Sequence, residues 1–200
     1  STPNGDSKIY QTHNQWTSDG QWLIFRSGRV RGEAMAVNEK TGDLVQVTEG
    51  GYTGMLSIAR YSMKLYFMRN PNRPAVPATP PPRPAPGATP AAPRPPQQPQ
   101  SLQIIEVDLE KLFADSHAGK MKSPDFYQKV MGTTPVEMQA GGDMALDADE
   151  KWVYFRVGRD EAARHMPPDA KMEKAFGPRN MGAGPTGLGA ENQRWLRNSP

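Results

Sequence analysis

Short apolar runs that end in arginine recur along the chain. The stretch Trp22–Arg29 has the pattern W-x-x-F-R-x-G-R, and Trp152–Arg159 has the same pattern. A third run, Lys64–Arg69, is also apolar and also ends in arginine. Runs of this length, rich in aromatic and β-branched side chains, are typical of buried strands. We therefore predict one equivalent strand at each of the three places.

The spacing of these runs predicts a repeated unit. They start at positions 22, 64 and 152, so the first two lie 42 residues apart and the third follows after a further 88. A period of about 40–45 residues is that of a four-stranded β-propeller blade. Two further strands, Ala34–Val37 and Leu44–Thr48, flank a polar turn and complete the first unit.

The predicted fold class is all-β, a partial β-propeller of about two and a half four-stranded blades. Blade one spans about residues 11–48 and blade two about 53–138. Blade three starts near residue 142 and loses its regular pattern by residue 158. The incomplete propeller thus covers residues 1–158. An irregular tail is expected over 159–200, with no strand after Lys171.

A proline-rich segment interrupts blade two. Thirteen of the 21 prolines fall between Pro71 and Pro99. Proline fixes φ and lacks an N–H, so residues 71–100 are predicted to be a disordered insertion between the second and third strands of the blade. The strand pattern resumes at Leu102–Asp108. A docking site for a proline-binding partner is the alternative role for the insertion.

Two stretches favour helix rather than strand. Leu109–Ala114 is short and apolar on one face, and Asp160–His165 is rich in helix-forming residues. Pro167 and Pro168 would end the second of these helices.

Composition excludes several classes of protein. The chain has no apolar run of the length that spans a membrane. It has no cysteine, which excludes a disulfide scaffold, an iron–sulfur site and cysteine-ligated zinc. Its net charge of +3 is too small to indicate nucleic acid as a partner, although a local basic cluster could still bind an anion.

The candidate ligand-binding residues follow from the propeller plan, in which ligands bind where first strands begin and second strands end. Arginines follow the second strand of all three predicted blades, and guanidinium groups bind carboxylates through paired hydrogen bonds. A rim of arginines would therefore suit an acidic oligosaccharide. The candidate substrate-binding residues are Arg26, Arg29, Arg31, Arg69, Arg156, Arg159, His13 and Tyr52.

Each of these residues also has a structural interpretation. Arginines at strand ends are often solvated and pair with nearby carboxylates. Trp22 and Trp152 are expected to pack between neighbouring blades. The sequence places no catalytic residue, since no nucleophile motif and no metal-ligand spacing is present.

Four stretches carry a family resemblance. Together they cover roughly a quarter of the chain, and they are His13–Phe25, Ala36–Gly51, Leu102–Leu112 and Asp147–Arg159. They resemble the TolB-like propeller repeats and, more narrowly, the N-terminal half of the oligogalacturonate lyase family. The resemblance implies a seven-bladed propeller that cleaves oligogalacturonides by β-elimination. It also implies a divalent metal such as manganese, held by histidines and a glutamine, and a basic side chain that removes the proton.

The chain departs from that family in its histidines. It has only His13, His117 and His165, without metal-ligand spacing, so no metal or base residue can be carried over. We therefore expect an N-terminal fragment of an oligogalacturonate lyase-like protein that has no cofactor of its own and no lyase activity alone. Two and a half blades cannot close a propeller, so the missing blades or another chain are expected to complete it.

Two alternative functions stay open. One is a non-catalytic TolB-like module that binds protein or glycan, and the other is the propeller half of a prolyl-peptidase-like enzyme. A start at Ser1 rather than at methionine favours a processed periplasmic or secreted protein, with a cytoplasmic location as the alternative.

Overall fold

The structure is a computed structural model that describes residues 5–9, 13–30, 32–73, 100–165 and 193–197. These residues form mostly β structure, in agreement with the predicted class. There are three small antiparallel sheets and two short α-helices, and the described sheets do not close into a barrel. Neither helix is long and apolar enough to cross a membrane.

The first sheet is a four-stranded meander. Its strands, in spatial and chain order, are β1 (Ser7–Lys8), β2 (Trp22–Arg26), β3 (Ala34–Asn38) and β4 (Leu44–Gln46). β1 lies before residue 11, where the first unit was predicted to begin, and it pairs with the end of β2. Between β3 and β4, the Asn38 side chain accepts hydrogen bonds from the backbone N–H groups of Lys40 and Thr41 and so fixes the polar turn.

The second sheet has the same meander order. Its strands are β5 (Thr53–Ile58), β6 (Lys64–Arg69), β7 (Gln103–Asp108) and β8 (Gln128–Thr133). The proline-rich segment lies between β6 and β7, as predicted, and residues 74–99 are outside the described residues. Arg69 and Gln103 are direct partners in the register, and the Asn70 amide donates a hydrogen bond to Gln100. The two strands therefore pair as neighbours across the insertion.

Helix α1 (Leu109–His117) continues directly from β7, which confirms the helix predicted there. Asp108 caps it, because its Oδ1 accepts a hydrogen bond from the Lys111 N–H at 3.0 Å. Leu109, Leu112 and Phe113 are buried on one side of the helix. Short 3-10 turns at Pro124–Phe126 and Val136–Met138 stand on either side of β8.

The third sheet contains β9 (Met144–Leu146), β10 (Trp152–Arg156) and β11 (Gln193–Arg197), with β10 in the middle. Helix α2 (Arg159–Arg164) confirms the second predicted helix. The prediction that no strand follows Lys171 is wrong, because β11 pairs with β10 along its whole length. β11 has the sequence Gln-Arg-Trp-Leu-Arg, so it lacks the longer apolar run that predicted β2 and β10, and its pairing with the edge of β10 supplies what the sequence signal lacks.

The three sheets stack face to face around two hydrophobic cores. Leu65 and Phe67 of β6 belong to the core shared with the first sheet, whereas Tyr66 and Met68 belong to the core shared with the third. All four are at most 2% exposed. Successive side chains of a strand point to opposite faces, so the second sheet is the central layer of the stack. Burial on both faces explains why its strands are apolar almost throughout.

The two tryptophans of the repeated pattern have different surroundings. The Trp22 ring stacks on Phe113 of α1, with ring centroids 4.0 Å apart and an interplanar angle of 10°, and so lies between the first and second sheets as expected. Trp152 is 39% exposed on the outer face of the third sheet, so the described residues do not bury it between sheets.

Glu150 connects the third sheet to the second through hydrogen bonds. Its carboxylate accepts hydrogen bonds from the Tyr61 N–H at 2.6 Å, from the Ser62 N–H at 3.2 Å and from the Ser62 hydroxyl at 2.7 Å. Partial burial raises the pKa of this carboxyl, but the hydrogen bonds outweigh burial and hold the pKa below its ordinary value of 4.5.

We predict that Glu150→Gln lowers the free energy of unfolding by about 1 kcal/mol at pH 7, because a charged acceptor is replaced by a neutral one at a partly exposed site. A pKa that is depressed in the folded state contributes stability above the unfolded value, and this stability is lost as the pH falls through the folded value. Urea denaturation at pH 7 and pH 3 should therefore show the loss at pH 7 only.

The matched control is Asp149→Asn in the same turn. The Asp149 side chain is 72% exposed, so this change should leave the stability at pH 7 within about 0.5 kcal/mol of the parent. An equal loss for Glu150→Gln at both pH values would contradict a role for the charged carboxylate.

Candidate functional site

The second strand of each sheet ends at one shared end of the stack. The registers pair Ser7 with Arg26, Thr53 with Met68 and Met144 with Phe155. First strands therefore begin where second strands end. We call this end of the stack the rim. Arg26, Arg69 and Arg156 are the last residues of the three second strands and lie at this end.

Backbone contacts join the sheets at the rim. Arg26 Nη2 donates to the carbonyl oxygen of Gly54 at 3.4 Å, and the Met55 N–H donates to the carbonyl oxygen of Gly142 at 3.0 Å. Gly54 and Gly142 have φ values of +76° and +83°. A Cβ on Gly54 would lie 2.2 Å from the Gly142 oxygen, so only glycine permits this approach of β5 to the segment before β9.

The buried carboxylate of Glu33 stabilises the segment that connects the first sheet to the second. Glu33 is 8% exposed, and it accepts hydrogen bonds from the Thr48 hydroxyl and the Gly51 N–H, both at 2.6 Å. The Thr48 hydroxyl in turn accepts a hydrogen bond from the Ala34 N–H at 2.8 Å. Burial raises the pKa of Glu33, although both hydrogen bonds oppose this shift. Because Glu33 holds the N–H of Gly51, it also fixes the position of Tyr52, the residue that follows Gly51.

Tyr52 lies near two arginines. The charges of Arg26 and Arg73 act on its hydroxyl, and Arg73 Nη1 donates to the Tyr52 carbonyl oxygen at 3.0 Å. Partial burial raises the pKa of Tyr52 despite these cations, so the hydroxyl is protonated at neutral pH and can donate a hydrogen bond. Arg26 Nε is buried and has no hydrogen-bond partner among the described residues.

Arg69 lies beside this group and is held by the second sheet. Its Nη2 and Nε donate to Gln103 Oε1 at 3.0 and 3.3 Å, and its Nη1 donates to the Glu49 carbonyl oxygen at 3.2 Å. We refer to Arg26, Tyr52, Arg69 and Arg73 as the rim cluster. It brings three of the cations that follow second strands to the junction of the first two sheets.

The other candidates lie elsewhere or carry partners of their own. Arg29 pairs with Asp6 and lies over the Phe25 ring, on the outer face of the first sheet. Arg156 pairs with Asp143 at 2.9 Å, at the rim between the second and third sheets. Both arginines thus have carboxylate partners within the chain.

The remaining three candidates are not part of the rim cluster. Arg159 is the first residue of α2, so it starts a helix beyond the third sheet. His13 is half-buried in the segment that follows β1. Arg31 lies outside the described residues.

Sequence reasoning missed the residues that shape the site. Glu33 stands alone in a polar turn, and no pattern distinguishes it from a solvated glutamate. Gly54 carries a weak signal, since a glycine inside a strand pattern often marks a close backbone approach. The pairing of Gly54 with Gly142 depends on tertiary structure, because the two are 88 residues apart in sequence.

The chemistry available at the rim cluster is anion binding. Half-exposed guanidinium groups and a protonated phenol donate hydrogen bonds, and carboxylates accept them well. Within the described residues, no group of three or more His, Asp or Glu side chains could hold a metal ion. The divalent metal that the family resemblance implies therefore has no fitting site in this part of the chain.

Comparison of the chain with protein-family models, with curated proteins and with solved structures found no match.

We predict that Gly54→Ala lowers the free energy of unfolding by at least about 3 kcal/mol, because the new methyl group would meet the Gly142 backbone at an unfavourable φ. Gly20→Ala is the control, since Gly20 has a similar φ of +69° with no atom within 4 Å of the added Cβ. The control should lose only about 1–2 kcal/mol. Equal losses in urea denaturation would show that the close approach of the two glycines does not limit stability.

Proposed function

We propose that the chain is the N-terminal part of a TolB-like β-propeller of the oligogalacturonate lyase type, and that its rim cluster binds a carboxylate of an acidic oligosaccharide. Three features support the propeller. Each of the first two sheets is a four-stranded meander, the three sheets stack face to face, and an arginine stands at or just after the end of each second strand. The family itself rests on the resemblance of the four sequence stretches.

The observation that carries the binding proposal is the unpartnered Nε of Arg26. A buried guanidinium N–H without an acceptor costs free energy, and a bound carboxylate would supply the acceptor. Arg73 is exposed and Tyr52 half-buried next to it, so both can reach the same ligand. An oligosaccharide of uronic acid units offers a carboxylate to the arginines and ring hydroxyls to Tyr52.

Each group has a distinct task in this scheme. Arg26 and Arg73 bind the carboxylate. Arg69 is held in place by its hydrogen bond to Gln103 and adds positive electrostatic potential at the site. Glu33 touches no ligand and holds the segment that carries Tyr52. Among the described residues no group of three or more His, Asp or Glu side chains could hold a metal ion. We therefore assign carboxylate binding, and no elimination step, to the rim cluster. A non-catalytic TolB-like module that binds protein or glycan is the alternative function of the complete protein.

We predict that Arg26→Gln weakens the binding of a galacturonic acid trimer about tenfold or more, measured by isothermal titration calorimetry at low salt, because one charge-assisted contact is lost. Arg29→Gln is the matched control, since Arg29 pairs with Asp6 on the outer face of the first sheet. It should bind the trimer as the parent does.

A second arm replaces the ligand rather than the protein. The methyl-esterified trimer lacks carboxylates and should bind at least tenfold more weakly to the parent chain. Unchanged affinity in Arg26→Gln, or equal affinity for acid and ester, would overturn carboxylate recognition by the rim cluster. Unsaturated, ultraviolet-absorbing product formed by this chain alone would overturn the assignment of binding without elimination.

A further inference from the structure

In each sheet, one residue at the start of the first strand lies opposite the arginine that ends the second strand. These pairs are Ser7 with Arg26, Tyr52 with Arg69, and Asp143 with Arg156. The three positions are equivalent in the repeat, but their side chains are a hydroxyl, a phenol and a carboxylate. An acidic residue therefore opposes the arginine in the third sheet and in neither of the other two.

The carboxylate of Asp143 changes the charge on its side of the rim. Arg156 Nη2 lies 2.9 Å from Asp143 Oδ2, and the two side chains are 38% and 43% exposed. In the other two sheets the corresponding guanidinium groups donate to neutral oxygens, Arg26 to a backbone carbonyl and Arg69 to a side-chain amide. Because an ion pair has little net charge, the third-sheet side of the rim attracts an anion less strongly than the rim cluster does.

This ion pair adjoins the rim cluster. Arg26 donates to the carbonyl oxygen of Gly54, whose backbone lies against Gly142. Asp143 is the next residue of the chain after Gly142. Neither glycine has a side chain that would separate the rim cluster from Asp143. A carboxylate on a ligand that extends from the cluster toward the third sheet would therefore meet the Asp143 carboxylate, and like charges repel each other.

We propose that Asp143 is a specificity-determining residue, which excludes a second ligand carboxylate from the third-sheet side of the rim. This inference rests on the proposed binding of one carboxylate by the rim cluster. The preferred ligand then has a free carboxylate at the rim cluster and an uncharged sugar, such as a methyl-esterified uronate, next to it toward the third sheet. Removal of the Asp143 charge would free Arg156 to bind a second carboxylate.

The test compares galacturonic acid, which has one carboxylate, with its trimer, by NMR titration at physiological ionic strength. Under these conditions exposed charges more than about 8 Å apart are largely screened from each other. Asp143→Asn should bind the trimer about tenfold more tightly than the parent, because Arg156 gains a charge-assisted contact. It should bind the monomer within about twofold of the parent, which together with the spectrum shows that the variant is folded.

Asp149→Asn is the matched control. It removes the same charge from the turn between β9 and β10, at the end of the third sheet away from the rim, where the Asp149 side chain is 72% exposed. Both ligands should bind this variant as they bind the parent. A gain in trimer affinity equal to that of Asp143→Asn would show that net charge, rather than the position of Asp143, controls binding, and would overturn the inference.

A double variant identifies the group that receives the second carboxylate. Arg156→Gln in the Asp143→Asn background should lose most of the gain in trimer affinity. A parent that does not bind the trimer, or whose binding is unchanged by Arg26→Gln, would overturn the proposed function and this inference with it. Trimer binding that Asp143→Asn leaves unchanged or weakens would overturn this inference alone. So would an equal gain for monomer and trimer, or a gain that the double variant retains.

Discussion

Burial of the second sheet on both of its faces is the constraint on which the other sheets depend. Leu65 and Phe67 complete one core, and Tyr66 and Met68 complete the other. In the first sheet β1 has only two residues and β4 only three, and the described part of the third sheet has three strands. Each of these sheets therefore buries its apolar face by packing on the second sheet. Loss of packing on either face of β6 would therefore expose a whole neighbouring sheet.

The rim cluster is a product of that packing. Face-to-face stacking places the ends of β2 and β6 side by side, and this proximity puts Arg26 near Tyr52 although 26 positions separate them in sequence. The Glu33 carboxylate then fixes the connecting segment through Thr48 and Gly51. A binding residue on a loop is positioned more precisely when a rigid scaffold holds the loop next to that residue.

The pattern of apolar runs was sufficient for most strands, because β2, β6 and β10 each fill a core and so carry a dense apolar signal. It also placed the insertion between the correct pair of strands. The signal failed at β11, where pairing with β10 creates the strand, and at β1, which has only two residues. For the site, arginines at strand ends were visible, but which of them pair with a carboxylate was not. The partners Asp6 of Arg29 and Asp143 of Arg156 are set by three-dimensional contact rather than by spacing.

The pairing of Arg69 with Gln103 has an evolutionary consequence. The two ends of the insertion are fixed as direct cross-strand partners, with Asn70 bonded to Gln100 just outside the sheet. The entropy of closing such a loop grows only with the logarithm of its length, so doubling the segment costs roughly 0.6 kcal/mol. Additions or deletions between these anchors leave the register of β6 and β7 unchanged. The segment between these anchors is therefore a position at which the length of the chain can change at little cost in stability to either core.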